Sequence, residues 1–169
     1  MQHGMHIGAP VAAAVVALAI AACGGGSGGS TAPPTTASGK PATIGLAKEG
    51  SLGKILVDTQ GRSLYLFQRD SGTTSDCTGA CAAAWPPLRD TGKPVVGGGL
   101  SESKIGTTPR SDGKPQVTYN GHPLYLYSGD PKPGDTNGQG LNAFGGGWFA
   151  LSGAGTMVSG KGTGSSNGY

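Results

Sequence analysis

Charge is scarce in this chain. Only 12% of its 169 residues are Asp, Glu, Lys or Arg, and the net formal charge is +3. That charge is spread thinly, with no basic cluster and no aromatic-interleaved arginine stripe, which argues against nucleic acid as a partner. Histidine is scarcer still: His3 and His6 stand at the extreme N-terminus, leaving His122 alone in the body of the chain. No Ser-x-x-Lys or Gly-x-Ser-x-Gly element occurs, and no pair of histidines with a carboxylate offers a metal site. The expectation is therefore a protein that is not an enzyme. No apolar run reaches the roughly 18–20 residues that a membrane-spanning helix needs. The longest, Val11 to Ala22, reads VAAAVVALAIAA.

That run has the length of a signal-peptide core, although its N-terminal flank, Met1 to Pro10, contains no Lys or Arg. It ends in Ile20-Ala21-Ala22-Cys23, which resembles a lipobox. The resemblance implies cleavage after residue 22, a diacylglyceryl group on Cys23, and a membrane-held protein exposed outside the cytoplasm. Residues 23–41 combine flexible Gly and Ser with stiffer Pro and Thr and have almost nothing apolar to bury, as expected of a linker. Residues 153–169 are again rich in Gly and Ser, and a disordered tail is expected there. The folded part is expected over residues 42–152.

Within it lies an internal repeat. Val57-Asp-Thr-Gln-Gly61-Arg-Ser-Leu64-Tyr65-Leu66-Phe67-Gln-Arg-Asp70 aligns without gaps on Val117-Thr-Tyr-Asn-Gly121-His-Pro-Leu124-Tyr125-Leu126-Tyr127-Ser-Gly-Asp130. Ile44-Gly45 matches Ile105-Gly106, and Trp85 and Leu88 match Trp148 and Leu151. Two units follow, residues 43–91 and 104–152.

Each unit reads as β. Asn120-Gly121 between apolar runs signals a two-residue hairpin of type I′, and Gln60-Gly61 holds the equivalent place. That register pairs Tyr119 with His122 and Val117 with Leu124, placing Val117, Tyr119, His122, Leu124 and Leu126 on one face and Tyr125 and Tyr127 on the other. The first unit sorts alike: Ile55, Val57, Leu64 and Leu66 on one face, Tyr65 and Phe67 on its reverse. With neither face plainly polar, the expectation is an all-β fold of seven or eight short antiparallel strands, covered on both sides as in a small sandwich or barrel.

Tyr65-Leu66-Phe67-Gln68-Arg69-Asp70 and Tyr125-Leu126-Tyr127-Ser128-Gly129-Asp130 each carry a Tyr-x-(Phe/Trp/Tyr)-x-x-Asp motif. With Cys77-Thr-Gly79-Ala-Cys81 ahead of Trp85-Pro86-Pro87-Leu88, and Gly134-Asp135-Thr-Asn137-Gly138-Gln-Gly140, the chain resembles a family of bacterial lipoproteins built from this repeated motif, a secreted repeat of unknown function. The resemblance covers the whole folded part and implies an envelope protein without an assigned chemistry. Physically, the Tyr and the aromatic two residues on share a strand face, and the Asp falls past the strand end, where it can cap a turn. An aromatic platform beside a carboxylate, for a cation or a glycan ring, is the functional alternative.

Cys77 and Cys81, the pair left after Cys23, suit a disulfide in an oxidising compartment. The alternatives are a redox dithiol, or a copper site of the kind found in Sco-like copper chaperones with His122 as third ligand. A c-type haem site is excluded by the spacing. Asp135, Asn137, Gln139 and Gly140 fall at EF-hand positions one, three, five and six, but position twelve is Gly146 rather than Glu, so only a weaker calcium site from Asp130, Asp135 and Asn137 stays open. A two-carboxylate hydrolase would need the two repeats to bring Asp70 and Asp130 together. The best expectation is a surface-tethered binding or structural module whose partners are membrane lipid, through Cys23, and an envelope ligand or protein.

Overall fold

The computed structural model describes residues 43–162; the signal segment, Cys23, the linker of residues 23–41, and residues 163–169 lie outside them. Eight short strands form: β1 (Ile44–Glu49), β2 (Gly53–Asp58), β3 (Tyr65–Phe67), β4 (Ile105–Thr108), β5 (Gln116–Tyr119), β6 (His122–Pro123), β7 (Asn142–Ala143) and β8 (Gly146–Ala150). They make three antiparallel sheets, β1-β2, β3-β8-β7 and β4-β5-β6. One short helix, α1 (Ala80–Ala84), follows the first motif. Among the described residues no helix is long and apolar enough to cross a membrane.

The second hairpin forms as its sequence dictates. Asn120 and Gly121 both take positive φ, 51° and 83°, and Tyr119 faces His122 across the turn. Leu124 N–H then bonds the Val117 carbonyl at 3.0 Å.

The first hairpin differs by one residue. Only Gly61 is left-handed there, at φ 76°, so the loop takes three residues, Thr59 to Gly61, and the Asp58 N–H bonds the Arg62 carbonyl at 2.9 Å. Asp58 holds this register: its carboxylate accepts the N–H groups of Gln60 and Arg62, each at 2.9 Å, and pairs with the Arg62 guanidinium at 2.6 Å. Val57 consequently faces Ser63 rather than Leu64. A one-residue slip turns every side chain over, and it corrects the expected faces. Ile55 and Val57 join Tyr65 and Phe67 in a cluster around Trp85, Trp148 and Tyr125. Leu56 takes their place with Leu64, Leu66, Val117, Tyr119 and Leu124 in an aliphatic cluster. The strands are thus covered on both sides, with aromatics on one side and aliphatics on the other.

The two repeats do not fold side by side. The segment from Ala84 to Leu88 in the first repeat bonds to the motif strand of the second: Ser128 N–H to Ala84 O at 2.9 Å, Leu126 N–H to Pro86 O at 2.8 Å, and Leu88 N–H to Leu124 O at 2.8 Å. The equivalent strand of the second repeat, β8, lies in register on β3 of the first. At the centre, Tyr65 and Tyr125 exchange both backbone bonds, at 2.9 and 3.0 Å. Each repeat therefore supplies the strand that completes the other.

The expected tail needs a correction as far as residue 162. Leu151 bridges to Met157, Val158 N–H bonds Ala150 O at 2.9 Å, and Val158 packs on the aromatic cluster. Gln139, whose side chain is buried, donates its amide to the carbonyls of Val158 and Gly160 at 2.8 and 3.2 Å. A buried amide needs acceptors, and this Gly-rich segment provides them as backbone.

Because each half lacks a strand that only the other provides, neither half is expected to fold alone. Cutting the chain at Gly98, in the connection between the repeats, is expected to leave the two fragments associated. Separately expressed fragments should be unstructured and should regain the native β circular-dichroism signal when mixed at equal amounts. Independent folding of either fragment would contradict the exchange.

Candidate functional site

The two motif copies meet at the centre of the molecule. With Tyr65 opposite Tyr125 in antiparallel register, the strands leave this pair in opposite directions, and each Asp, five residues on, arrives beside the tyrosine of the other repeat. The Tyr65 hydroxyl donates to Asp130 Oδ2 at 2.5 Å, and the Tyr125 hydroxyl donates to Asp70 Oδ2 at 2.8 Å. The second oxygen of each carboxylate caps the following loop: Asp70 Oδ1 accepts the Asp76 N–H and Asp130 Oδ1 accepts the Asn137 N–H, at 2.9 and 2.8 Å. Turn capping is thus as expected, and the reciprocal phenol bonds are what sequence reasoning missed.

The aromatic side chains obey the same exchange. Phe67 of the first repeat stacks on Trp148 of the second at 4.1 Å between centroids, and Tyr127 of the second stacks on Trp85 of the first at 4.3 Å. The two tryptophans stack on each other at 3.9 Å and 6°. Tyr65 and Tyr125 meet the tryptophans of their own repeats edge-on, the arrangement ring quadrupoles favour. Gly138 allows this packing, because a Cβ there would stand 2.9 Å from both Trp85 and Tyr65.

Burial pushes Asp70 up to about 6, against the opposing effect of the Asp76 N–H and the Tyr125 hydroxyl. Asp130 is raised for the same reason. Burial, together with the neighbouring carboxylate, also raises both phenols.

Around Asp70 the packing is asymmetric. Ser75 Oγ lies 2.7 Å from the Tyr125 hydroxyl, and the Arg110 guanidinium reaches Ser75 Oγ, Gln116 Oε1 and the Cys77 carbonyl at 2.5 to 2.6 Å. Arg110, from the second repeat, therefore fastens the first repeat's loop. No periodicity or motif marks it in the sequence. Cys77 and Cys81 form a disulfide, with Cα atoms 5.2 Å apart, and both are buried against the aromatic cluster.

The other candidates are not brought together. His122 sits half-buried on β6 opposite Tyr119. Among the described residues no group of three or more His, Cys, Asp or Glu is placed to hold a metal ion. Asp130 and Asn137 do meet, but as acceptor and N–H donor, and the Asp135 carboxylate accepts the Lys132 N–H at 3.0 Å. Asp70 and Asp130 lie at opposite ends of the motif pair, each beside a phenol, and so do not form one two-carboxylate centre.

Fold and site together define a duplicated all-β module whose halves exchange strands, aromatic rings and phenol–carboxylate bonds. The family described as a secreted repeat of unknown function, Lipoprotein_15, matches residues 46–89 and 106–152, more than half of the chain. The chain belongs to that family. No curated protein and no solved structure matches it.

Reciprocity has a direct energetic test. Removing the donor to a buried carboxylate costs about 1–3 kcal/mol. A double-mutant cycle of Tyr65→Phe and Asp130→Asn should give a coupling of about 1–2 kcal/mol in urea unfolding, and the same-repeat pair Tyr65→Phe and Asp70→Asn should be additive within about 0.5 kcal/mol. Coupling within rather than between repeats would refute the exchange.

The raised carboxyls also set a pH dependence. An Asp whose folded value, about 6 for Asp70, exceeds its unfolded value of about 3.9 stabilises the fold fully below the unfolded value. That contribution is lost as pH rises through the folded value. The thermal midpoint should therefore fall from pH 4.5 to pH 7, and Asp70→Asn should flatten the slope. A midpoint that climbs over this range would sink the assignment.

Proposed function

We infer that the protein is a non-enzymatic structural and binding module of the cell envelope, held at a membrane by a diacylglyceryl group on Cys23. The single observation that supports this reading is how the motif residues are engaged. Tyr65 is bonded to Asp130 and Tyr125 to Asp70 across the two repeats, and Phe67 and Tyr127 stack on the tryptophans. Side chains committed to holding two repeats together make a rigid body and leave recognition to the outer surface.

That surface offers a cleft of about 400 Å³ between Lys93–Val96 and strand β4. Strand β4 is a sheet edge. Asn120 N–H bonds the Lys104 carbonyl, which sets the ladder so that Gly106 and Thr108 bond toward β5. Ile105 and Thr107 then turn their backbone groups toward the cleft, and a sheet edge of this kind suits an extended segment of an envelope protein. The anchor fits the same picture, since a linker of Gly, Ser, Pro and Thr would hold the module off the lipid surface.

Metabolic labelling with a fatty acid tests the anchor. Label is expected on the wild-type protein in the membrane fraction and lost in Cys23→Ala, which should be released to the medium. Unlabelled wild-type protein would remove the tethered part of the reading.

A further inference from the structure

The aromatic core forms a continuous path. Tyr127, partly exposed, lies face to face with Trp85 at 4.3 Å, and Trp85 with Trp148 at 3.9 Å. From the tryptophans the path divides: Trp85 meets the Tyr65 ring at 5.4 Å and Trp148 meets the Tyr125 ring at 5.1 Å. Both tyrosines are fully buried, and each hydroxyl donates to a carboxylate. Contacting π systems thus lead from a partly exposed phenol to two interior phenols, each with its own proton acceptor.

We propose that this array is a one-electron relay that captures oxidising equivalents from small radicals at the protein surface and stores them on Tyr65 or Tyr125. An electron leaves Tyr127 or Trp85 to the radical, which becomes its anion. The vacancy passes between Trp85 and Trp148 and is filled by an electron from a buried tyrosine, whose proton moves along the existing hydrogen bond. For the second repeat's phenol the balance is Tyr125–OH, Asp70 carboxylate and a neutral radical giving the Tyr125 phenoxyl radical, protonated Asp70 and the radical's anion. Atoms and charge are conserved, and the oxidant is the radical itself. Tyr65 and Asp130 run the same step.

The carboxylates are what make the stored state accessible. An oxidised phenol is a strong acid, and a buried one without an acceptor has nowhere to send its proton. Here the acceptor is already bonded, and burial makes Asp70 and Asp130 better bases than an ordinary carboxylate. Tyr119 is an internal control. It is equally buried, but its hydroxyl donates to the Gly153 carbonyl, and it sits in the aliphatic cluster. This activity goes beyond the binding reading and stands or falls separately from it.

Pulse radiolysis of the full-length protein with azidyl radicals tests the relay. Tryptophanyl radical should form first and convert to tyrosyl radical in a first-order step whose rate is independent of protein concentration. Conversion should persist in Tyr119→Phe and be lost in the Tyr65→Phe/Tyr125→Phe double variant. Because the double variant removes two buried hydrogen bonds, the wild-type radical should also be trapped by freezing. High-field electron paramagnetic resonance should show it hydrogen-bonded to an exchangeable proton, the one handed to the Asp. A conversion rate that scales with protein concentration, a tyrosyl signal that survives in a folded double variant, or a wild-type radical without an exchangeable hydrogen bond would each overturn the proposal.

Discussion

The structure depends on one reciprocal interaction, the pair of hydrogen bonds in which each repeat's motif tyrosine donates to the other repeat's motif aspartate. A buried carboxylate is tolerated only when its oxygens find donors. In each repeat the local chain supplies one donor, the N–H of Asp76 or Asn137, and the partner repeat supplies the other. Each Asp thus combines a donor from its own repeat with a phenol from the other, and each motif phenol donates across the repeats. The polar centre of the molecule therefore forms only when both halves are present and in register. This is a stricter demand than apolar contact alone would impose, because hydrophobic burial is indifferent to direction.

The rest of the architecture follows from that constraint. Tyr65 and Tyr125 must lie opposite each other for the bonds to cross, so the motif strands run antiparallel at the centre, and each takes its second neighbour from the other repeat. The same crossing brings Trp85 and Trp148 face to face, between Tyr127 and Phe67. A chain with few aromatics can thus build a dense core by concentrating them at one place. The disulfide and Arg110 then act on one side only, tying the loop after Asp70 to itself and to the second repeat.

Much of this was legible in the sequence, and the misses have specific causes. Asn120-Gly121 predicts its hairpin and register because only a few residues tolerate two consecutive left-handed positions. The matching Gln60-Gly61 does not, since Gln60 stays out of that region. There the nearby Asp58 and Arg62 settle a three-residue loop and turn Ile55 and Val57 to the aromatic side. The spacing of Tyr65 and Phe67 puts them on one face from sequence alone, and the turn position of Asp70 is equally visible. That the phenol partner of Asp70 is Tyr125 rather than Tyr65 is not, because spacing within a repeat carries no information about the other repeat. Arg110 belongs to the same class: its partners Ser75 and Cys77 lie in the other half. The segment to residue 162 looked unstructured because it contributes mostly carbonyls, and backbone acceptors leave no trace in composition.

The internal symmetry also locates where function can have diverged. Two copies related by exchange give each half the same central duty, so neither motif copy is free to change without orphaning a group in the other. The loops that the two aspartates cap differ between the repeats. After Asp70 the loop holds the disulfide, α1 and the Ser75–Arg110 contacts. After Asp130 it holds Gly134, Asn137 and Gly138, with Gly138 closed over Trp85 and Tyr65. The connection between repeats also lies outside the exchange, with Val96 making an isolated parallel bridge to Ile44 at the start of β1 and Val95 and Val96 lining one wall of the cleft beside β4. A duplicated fold locked at its centre is thus free to specialise at its periphery, and the cleft lies in the part that the exchange leaves unconstrained.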